Sequence, residues 1–389
     1  MKSEVSAIRL AQYRKVSYTE CALIGVILVI ATKFCTLPSI LTGAAEAKAI
    51  WAAAILTAME FLVAFFAIKT AKLGGIPTLD LPRGAHILLY LFFTLFFTIK
   101  ISAFTREVST YYALSLFENV PVLPVMILTL IASVLIARKG YMAIGRMLEM
   151  ILWLFVFVFL FVVIFTRSEG DLFNAIAMFS PDVTGLGRAV AVGAAWYGDS
   201  AVLAFLDLRG EERLSSHAPI LPPSPEKRKT KRKILFAAAL FSFFTVLVFY
   251  AVFIAAYGDA AKMTDYAFIK LSAFKANTDE LGSADWPVII LWSVVTTVYL
   301  TLLMIAAIEC LYGLANKERE AKPSLLPSLL LGAAAITLSL LFLDEEGDYE
   351  RFMSGIANIF GFLSMGVTIG IGVIALLRNK AKEENPDEK

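Results

Sequence analysis

Long apolar segments separated by short polar connections run through almost the whole chain. Each holds about 20 mostly apolar residues, which is the length that a helix needs to cross a bilayer. They lie at 19–41, 48–69, 85–110, 121–137, 147–166, 187–207, 233–257, 286–312, 324–343 and 353–377. The pattern therefore predicts an all-α integral membrane protein with ten transmembrane helices, embedded in the lipid bilayer.

The composition agrees with this pattern. Hydrophobic residues make up 59% of the chain and charged residues only 17%, whereas soluble domains are about half apolar and about a quarter charged. The formal net charge is only +2, and the basic residues are segregated into particular connections. We therefore expect no nucleic-acid partner.

Lysine and arginine are concentrated in every second connection, and the alternation holds at almost every step, with the mixed connection 167–186 as the weak one. Basic connections include 138–146 and 313–323, whereas 344–352 is acidic. Because basic loops stay on the cytoplasmic side of a membrane, both termini are predicted to be cytoplasmic.

The Pro-rich and strongly basic connection 208–232 follows the sixth predicted helix. The predicted organisation is a cytoplasmic N-terminus (1–18), a first five-helix repeat (19–166), a second five-helix repeat (187–377) that contains this linker, and a cytoplasmic tail (378–389). The linker is either a solvated segment near anionic lipid or a docking segment.

Five helices followed by five, with the N-terminus inside, give the two halves opposite topology. Helices one and six then occupy equivalent positions, and both are interrupted: Thr32–Pro38 contains a lysine and a proline, and Trp196–Ser200 contains a glycine and an aspartate. Matching interrupted helices in two inverted halves indicate a transporter binding site. We therefore predict a 5+5 inverted repeat of the LeuT/APC-like kind, with helices one and six broken.

The predicted ligand site lies between these two breaks. Free helix ends there attract carboxylates and amines, so an amino acid suits the site, while a sugar or an organic cation is not excluded. The predicted ligand-binding residues are Lys33, Phe34, Thr36, Trp196, Tyr197, Gly198, Asp199 and Ser200. Lys33 and Asp199 both fall near the membrane midplane, as a charge pair that ligand or proton opens or as a pair that fixes helix packing.

Other polar residues at mid-depth are candidates for proton or ion coupling. Glu60 and Lys100 are either proton relays or halves of static pairs. Three hydroxyl residues in the eighth predicted helix either complete a sodium site or bond back to their own helix; they are Ser293, Thr296 and Thr297. Arg106 and Glu107 are expected to form an ion pair near the membrane surface.

No metal, cofactor or catalytic site is predicted. Cys21, Cys35 and Cys310 are scattered without a CxxC spacing, and His86 and His217 lie far apart in sequence, so neither disulfides nor a zinc site are indicated. The chain lacks a nucleophile–base set and a phosphate-binding loop. We expect that the protein is not an enzyme.

With its broken helices, the chain resembles the amino acid–polyamine–organocation superfamily, and within it the spore-germination permeases, the B subunits of germinant receptors. The most specific motif is Ala137–Arg146, with a basic residue, a glycine and an arginine after the fourth helix. Pro38 and the size near 390 residues also agree. The chain departs from the superfamily at Ala31–Pro38, where a glycine-rich break is usual, and at Tyr197–Ser200, where an aromatic-glycine-glutamate pattern is more usual.

The resemblance implies a receptor subunit in the spore inner membrane. Such a subunit binds an amino acid or similar small germinant between helices one and six, signals germination and works with A and C subunits. The alternative is a proton-coupled amino acid transporter of the same superfamily. A third interpretation is a subunit that serves as a scaffold or ion path.

Overall fold

The computed structural model describes residues 16–115, 120–167, 172–179, 183–209, 225–273, 285–315, 325–342 and 348–384. These residues are almost entirely helical. The α-helices are α1 (Tyr18–Ile30), α2 (Leu37–Ala45), α3 (Ala49–Lys72), α4 (Arg83–Ser115), α5 (Val122–Ala137), α6 (Tyr141–Arg167), α7 (Leu172–Ala177), α8 (Leu186–Gly193), α9 (Pro225–Tyr257), α10 (Ala267–Ala273), α11 (Asp285–Leu314), α12 (Leu325–Phe342), α13 (Asp348–Phe352) and α14 (Asn358–Glu384).

Seven helical segments among the described residues are long and apolar enough to cross a membrane. They are Leu37–Lys72, Arg83–Ala113, Tyr141–Ile164, Thr230–Met263, Pro287–Leu314, Leu325–Phe342 and Asp348–Arg378. Shorter apolar helices occupy Tyr18–Ile30, Val122–Ala137 and Leu186–Trp196. The helices fit an integral membrane protein. The ten predicted spans are not all matched by single long helices, because two predicted spans are interrupted and 121–137 is short.

Local sequence explains where several helices begin. Ser17 and Glu20 form a reciprocal capping box at the start of α1, with bonds of 2.7 and 3.1 Å. Pro38 lies in the first turn of α2 and Pro121 precedes α5, positions that need no amide donor.

Several boundaries differ from the prediction. Helix α6 already begins at Tyr141 and α14 continues to Glu384. Helix α9 already begins at Pro225, so the basic end of the predicted linker 208–232 is helical. Residues 210–224 of that linker lie outside the described residues.

The helices are arranged around a few buried elements. Helix α11 is buried along most of its length and packs most extensively against α4, while α3 packs against Asp199–Phe205 and α14. Large apolar side chains such as Trp153 and Phe157 on α6 and Leu330 on α12 are exposed instead, as expected for surfaces that contact lipid. The breaks therefore lie inside the bundle.

Candidate functional site

The first predicted break is present. Helix α1 ends at Ile30, α2 begins at Leu37, and residues 31–36 form turns between them. Helix ends leave backbone carbonyls without partners in the helix. Here the carbonyls of Phe34 and Cys35 accept hydrogen bonds from the amides of Phe268 (3.0 Å) and Ala267 (3.1 Å) at the start of α10. The break is thus held open by a neighbouring element.

The second predicted break is also present. Helix α8 ends at Gly193, a 3-10 turn covers Ala194–Trp196, and a 3-10 helix covers Asp199–Phe205. Between them, Gly198 has a φ of 87°, a conformation that glycine adopts far more readily than other residues. A Cβ there would also lie 3.2 Å from the Gly361 carbonyl oxygen. The chain reversal therefore requires glycine.

Glu60 on α3 binds the backbone of the second break. Its carboxylate accepts hydrogen bonds from the amides of Gly198 (2.5 Å) and Ser200 (2.7 Å), and it is fully buried. Unpaired amides would be costly in a buried site. Glu60 therefore supplies the partners that helix geometry no longer provides. These two hydrogen bonds suit a static role for Glu60 better than the role of a proton relay.

Asp199 lies between two lysines. Its Oδ2 is 3.1 Å from Lys33 Nζ and its Oδ1 is 2.7 Å from Lys100 Nζ. All three side chains are buried. Burial of a charge is expensive unless an opposite charge and hydrogen bonds compensate it. The structure thus joins the predicted Lys33–Asp199 pair with Lys100, which comes from α4.

Further contacts tie this cluster to both breaks. Lys33 Nζ also donates to Thr32 Oγ1 (2.8 Å) and the Leu28 carbonyl (3.3 Å), and lies 4.7 Å from the centre of the Tyr197 ring. Thr32 Oγ1 donates to the Trp196 carbonyl at 3.2 Å. The polar cluster consequently spans from one interrupted helix to the other.

Phe34 lies beside this cluster, in a group of aromatic rings. Its ring centroid is 4.1 Å from that of Phe249 and 6.1 Å from that of Trp292. Phe155, Phe159 and Phe268 are also within 6.4 Å of it. The predicted site residue Phe34 therefore packs in an apolar region next to the charges.

Thr36 belongs to a second polar cluster, which the sequence did not predict. The Glu107 carboxylate accepts hydrogen bonds from the Thr36 amide (2.9 Å), the Thr36 hydroxyl (2.5 Å) and the Tyr349 hydroxyl (2.7 Å). Glu107 is only 3% exposed, whereas the sequence predicted an ion pair between Arg106 and Glu107 near the membrane surface. One feature of the sequence indicates such a contact. Thr36 directly precedes helix α2, so its backbone amide has no partner in the helix and needs another acceptor.

The three hydroxyls of α11 bond back to their own helix, which is one of the two predicted alternatives. Ser293 donates to the Ile289 carbonyl (2.7 Å), Thr296 to that of Trp292 (2.8 Å) and Thr297 to that of Ser293 (2.7 Å). Such bonds to the preceding turn are the ordinary choice for hydroxyls in a helix. Within the described ranges, no group of three His, Cys, Asp or Glu side chains is placed to hold a metal.

The structure therefore brings most of the predicted site residues together, in one buried cluster at the two breaks. Its members are Lys33, Glu60, Lys100, Trp196, Tyr197, Gly198, Asp199 and Ser200. Phe34 and Thr36 lie in adjoining clusters, and Ser293, Thr296 and Thr297 bond within α11. We call the first group the break cluster.

No family model matches the sequence, and no curated protein matches it. Solved structures do match. A manganese transporter of Eremococcus coleocola, crystallised with an aromatic bis-isothiourea compound, is similar with a TM-score of 0.59 and 14% identity, over 93% of this chain and 78% of that one. A histidine-to-alanine mutant of that transporter has a TM-score of 0.59 and 13% identity, over 98% and 89%.

At such low identity the likeness concerns the fold alone. It covers nearly the whole chain, so it is not confined to one helical hairpin. It gives no support to the resemblance to spore-germination permeases. The chain has a fold that it shares with a membrane transporter.

Proposed function

We propose that the protein is a secondary transporter that carries a small solute through the break cluster. In this proposal the chain has ten spans in a 5+5 inverted repeat, with α1 and α2 forming span one and 186–205 forming span six. The shared fold supports transport more than the receptor function. The observation that carries the proposal is the buried carboxylate of Asp199, placed between two lysines where both spans are broken.

The charges of the break cluster favour an amino acid as the solute. The substrate carboxylate would bind Lys33 or Lys100, and its ammonium group would replace one of them beside Asp199. Divalent cations need several oxygen, nitrogen or sulfur ligands, and two lysines within 3.1 Å of Asp199 oppose such a cation. We therefore do not extend the substrate of the manganese transporter to this chain.

Proton coupling follows from the same residues. A proton taken up by Asp199 would weaken its attraction for both lysines and release one of them for a substrate. The proposed cycle thus links the protonation of one carboxylate to the opening of the site. This makes the protein a proton-coupled amino acid transporter.

The test is uptake into proteoliposomes that contain the purified protein. A labelled mixture of amino acids is supplied with and without an inward proton gradient. We expect accumulation that requires the gradient, and loss of most of it in Asp199→Asn. The matched control is Asp348→Asn, which makes the same change in an exposed ion pair with Arg351 and should transport like the unchanged protein.

The same experiment separates the transporter from the germinant receptor. Binding of an amino acid by the break cluster without any uptake would reject transport and favour a receptor subunit in the spore inner membrane, with A and C subunits as partners. Uptake that Asp199→Asn leaves intact would reject the role of the cluster.

A further inference from the structure

A cavity of about 560 Å³ lies between α1, α3, α9 and the segment Asp199–Phe205, outside the break cluster. This volume is within the range of about 300–1,000 Å³ found for small-molecule sites. Its walls are mainly apolar and include Val26, Val29 and Ala64. Phe65 and Phe236 also line it and are 51% and 66% exposed. The cavity therefore reaches the side surface of the bundle, where lipid would contact it.

One end of the cavity carries three cations. Lys69 and Lys72 lie in the last turn of α3, and Arg232 lies where α9 passes from its basic first turns into apolar sequence. The described residues that line the cavity include no carboxylate. The cavity is therefore positively charged where helices begin or end, and apolar along the rest of its length.

We propose that this cavity binds an anionic phospholipid, with the headgroup phosphate at Lys69, Lys72 and Arg232 and one acyl chain along Val26, Val29 and Ala64. A lipid matches both halves of the cavity, because it has negative charge at one end and an apolar chain at the other. It would enter sideways from the bilayer between Phe65 and Phe236. Clusters of Lys and Arg at a membrane surface attract anionic lipids in the same way.

Glycine at position 25 offers a way to block the apolar half of the cavity. Gly25 lines it, and a Cβ built there would be 3.7 Å from Leu203 Cδ1, an ordinary contact. Gly25→Leu and the larger Gly25→Phe should therefore occupy the chain site without a backbone clash. Gly366→Leu is the control, since Gly366 is exposed on α14 and a Cβ there meets nothing within 4 Å.

The charged half is tested with Lys69→Gln, Lys72→Gln and Arg232→Gln combined. Its control removes the same number of cations elsewhere, with Lys139→Gln, Arg146→Gln and Arg378→Gln, all at exposed positions. Native mass spectrometry of the purified full chain measures the bound fraction with phosphatidylglycerol, phosphatidylcholine or palmitate added. Gel filtration and melting temperature report whether each variant is folded.

We expect phosphatidylglycerol to bind one copy more tightly than phosphatidylcholine or palmitate. The three Gln substitutions should weaken it about tenfold or more, Gly25→Leu or Gly25→Phe should displace it, and both controls should bind as the unchanged protein does. Equal binding of phosphatidylcholine, tighter binding of palmitate, or unchanged binding in the folded Gln variant would overturn the proposal. If Gly25→Phe does not fold, the Gln variant and Gly25→Leu still decide it.

Discussion

Asp199 is a buried carboxylate that faces two buried ammonium groups. The net stability of such a group depends on every partner being present. The sequence indicated that Lys33 and Asp199 are near the same depth. It did not assign Lys100 to the same carboxylate, because residues on different helices meet through packing, which helical periodicity in one chain segment does not specify.

At this scale we predict strong coupling between Asp199 and Lys100. Asp199→Asn alone should lower the free energy of unfolding by about 3–5 kcal/mol, because both lysines lose their counter-charge. Adding Lys100→Met should restore part of that loss, with a coupling of about 2–3 kcal/mol, in the upper part of the range for contacting residues. Unfolding by a denaturing detergent measures all four corners of the cycle.

The comparison cycle uses the exposed pair of Asp348 and Arg351, whose atoms are 3.3 Å apart. Exposed pairs couple weakly, by about 0–1 kcal/mol. A coupling between Asp199 and Lys100 no larger than this would show that the buried contact contributes nothing specific.

At the scale of elements, the sequence predicted where the two helices break but not what holds the breaks. Pro38 and Gly198 are visible in a single sequence, because proline and glycine have known effects on helices. Glu60 and Glu107 act at a distance, each on the backbone of another segment. The predicted start of α9 was also too late, because charged residues such as Lys229 belong to the helix.

Glu60 gives the prediction at this scale. Glu60→Gln leaves a single acceptor oxygen for the amides of Gly198 and Ser200, so one amide loses its partner. We expect a loss of about 1–3 kcal/mol in stability and faster hydrogen exchange in the peptide that contains residues 197–201. Exchange mass spectrometry and thermal unfolding in detergent measure both.

The control is Glu149→Gln, because Glu149 is exposed on α6. It removes the same charge without touching a break and should exchange like the unchanged protein. If hydrogen exchange in residues 197–201 is equally slow in both variants, Glu60 does not hold the second break.

At the scale of the whole molecule, the fold is shared with a manganese transporter at 13–14% identity. The low identity indicates that this fold tolerates the replacement of most side chains. Sequence patterns therefore predicted the membrane class and the position of the breaks. In the proposed transporter, the choice of ligand depends on a few side chains such as Lys33 and Lys100, which the fold does not determine.

The proposed transport cycle requires α1 to move relative to Asp199–Phe205. Gly25→Cys with Leu203→Cys places one thiol on each side of that contact, where a Cβ at position 25 lies 3.7 Å from Leu203 Cδ1, so a short thiol-reactive crosslinker can span the two positions. With Cys21, Cys35 and Cys310 replaced by alanine, a short bifunctional thiosulfonate crosslinker should stop uptake in proteoliposomes, and a reductant should restore it by cleaving the disulfides that the crosslinker forms. Each single cysteine variant serves as the control. Full uptake by the crosslinked protein would show that this movement is not required.

The two hydrogen bonds from Glu60 have a mechanical consequence for the working protein. Residues 198 and 200 can become part of a continuous helix only if α3 moves away from them. The buried carboxylate of Glu60 would then lose both of these hydrogen bonds. If these two bonds persist during transport, α3 and residues 198–200 should move together. In the proposed transport cycle, any rocking between inward and outward forms must therefore hinge outside residues 198–200.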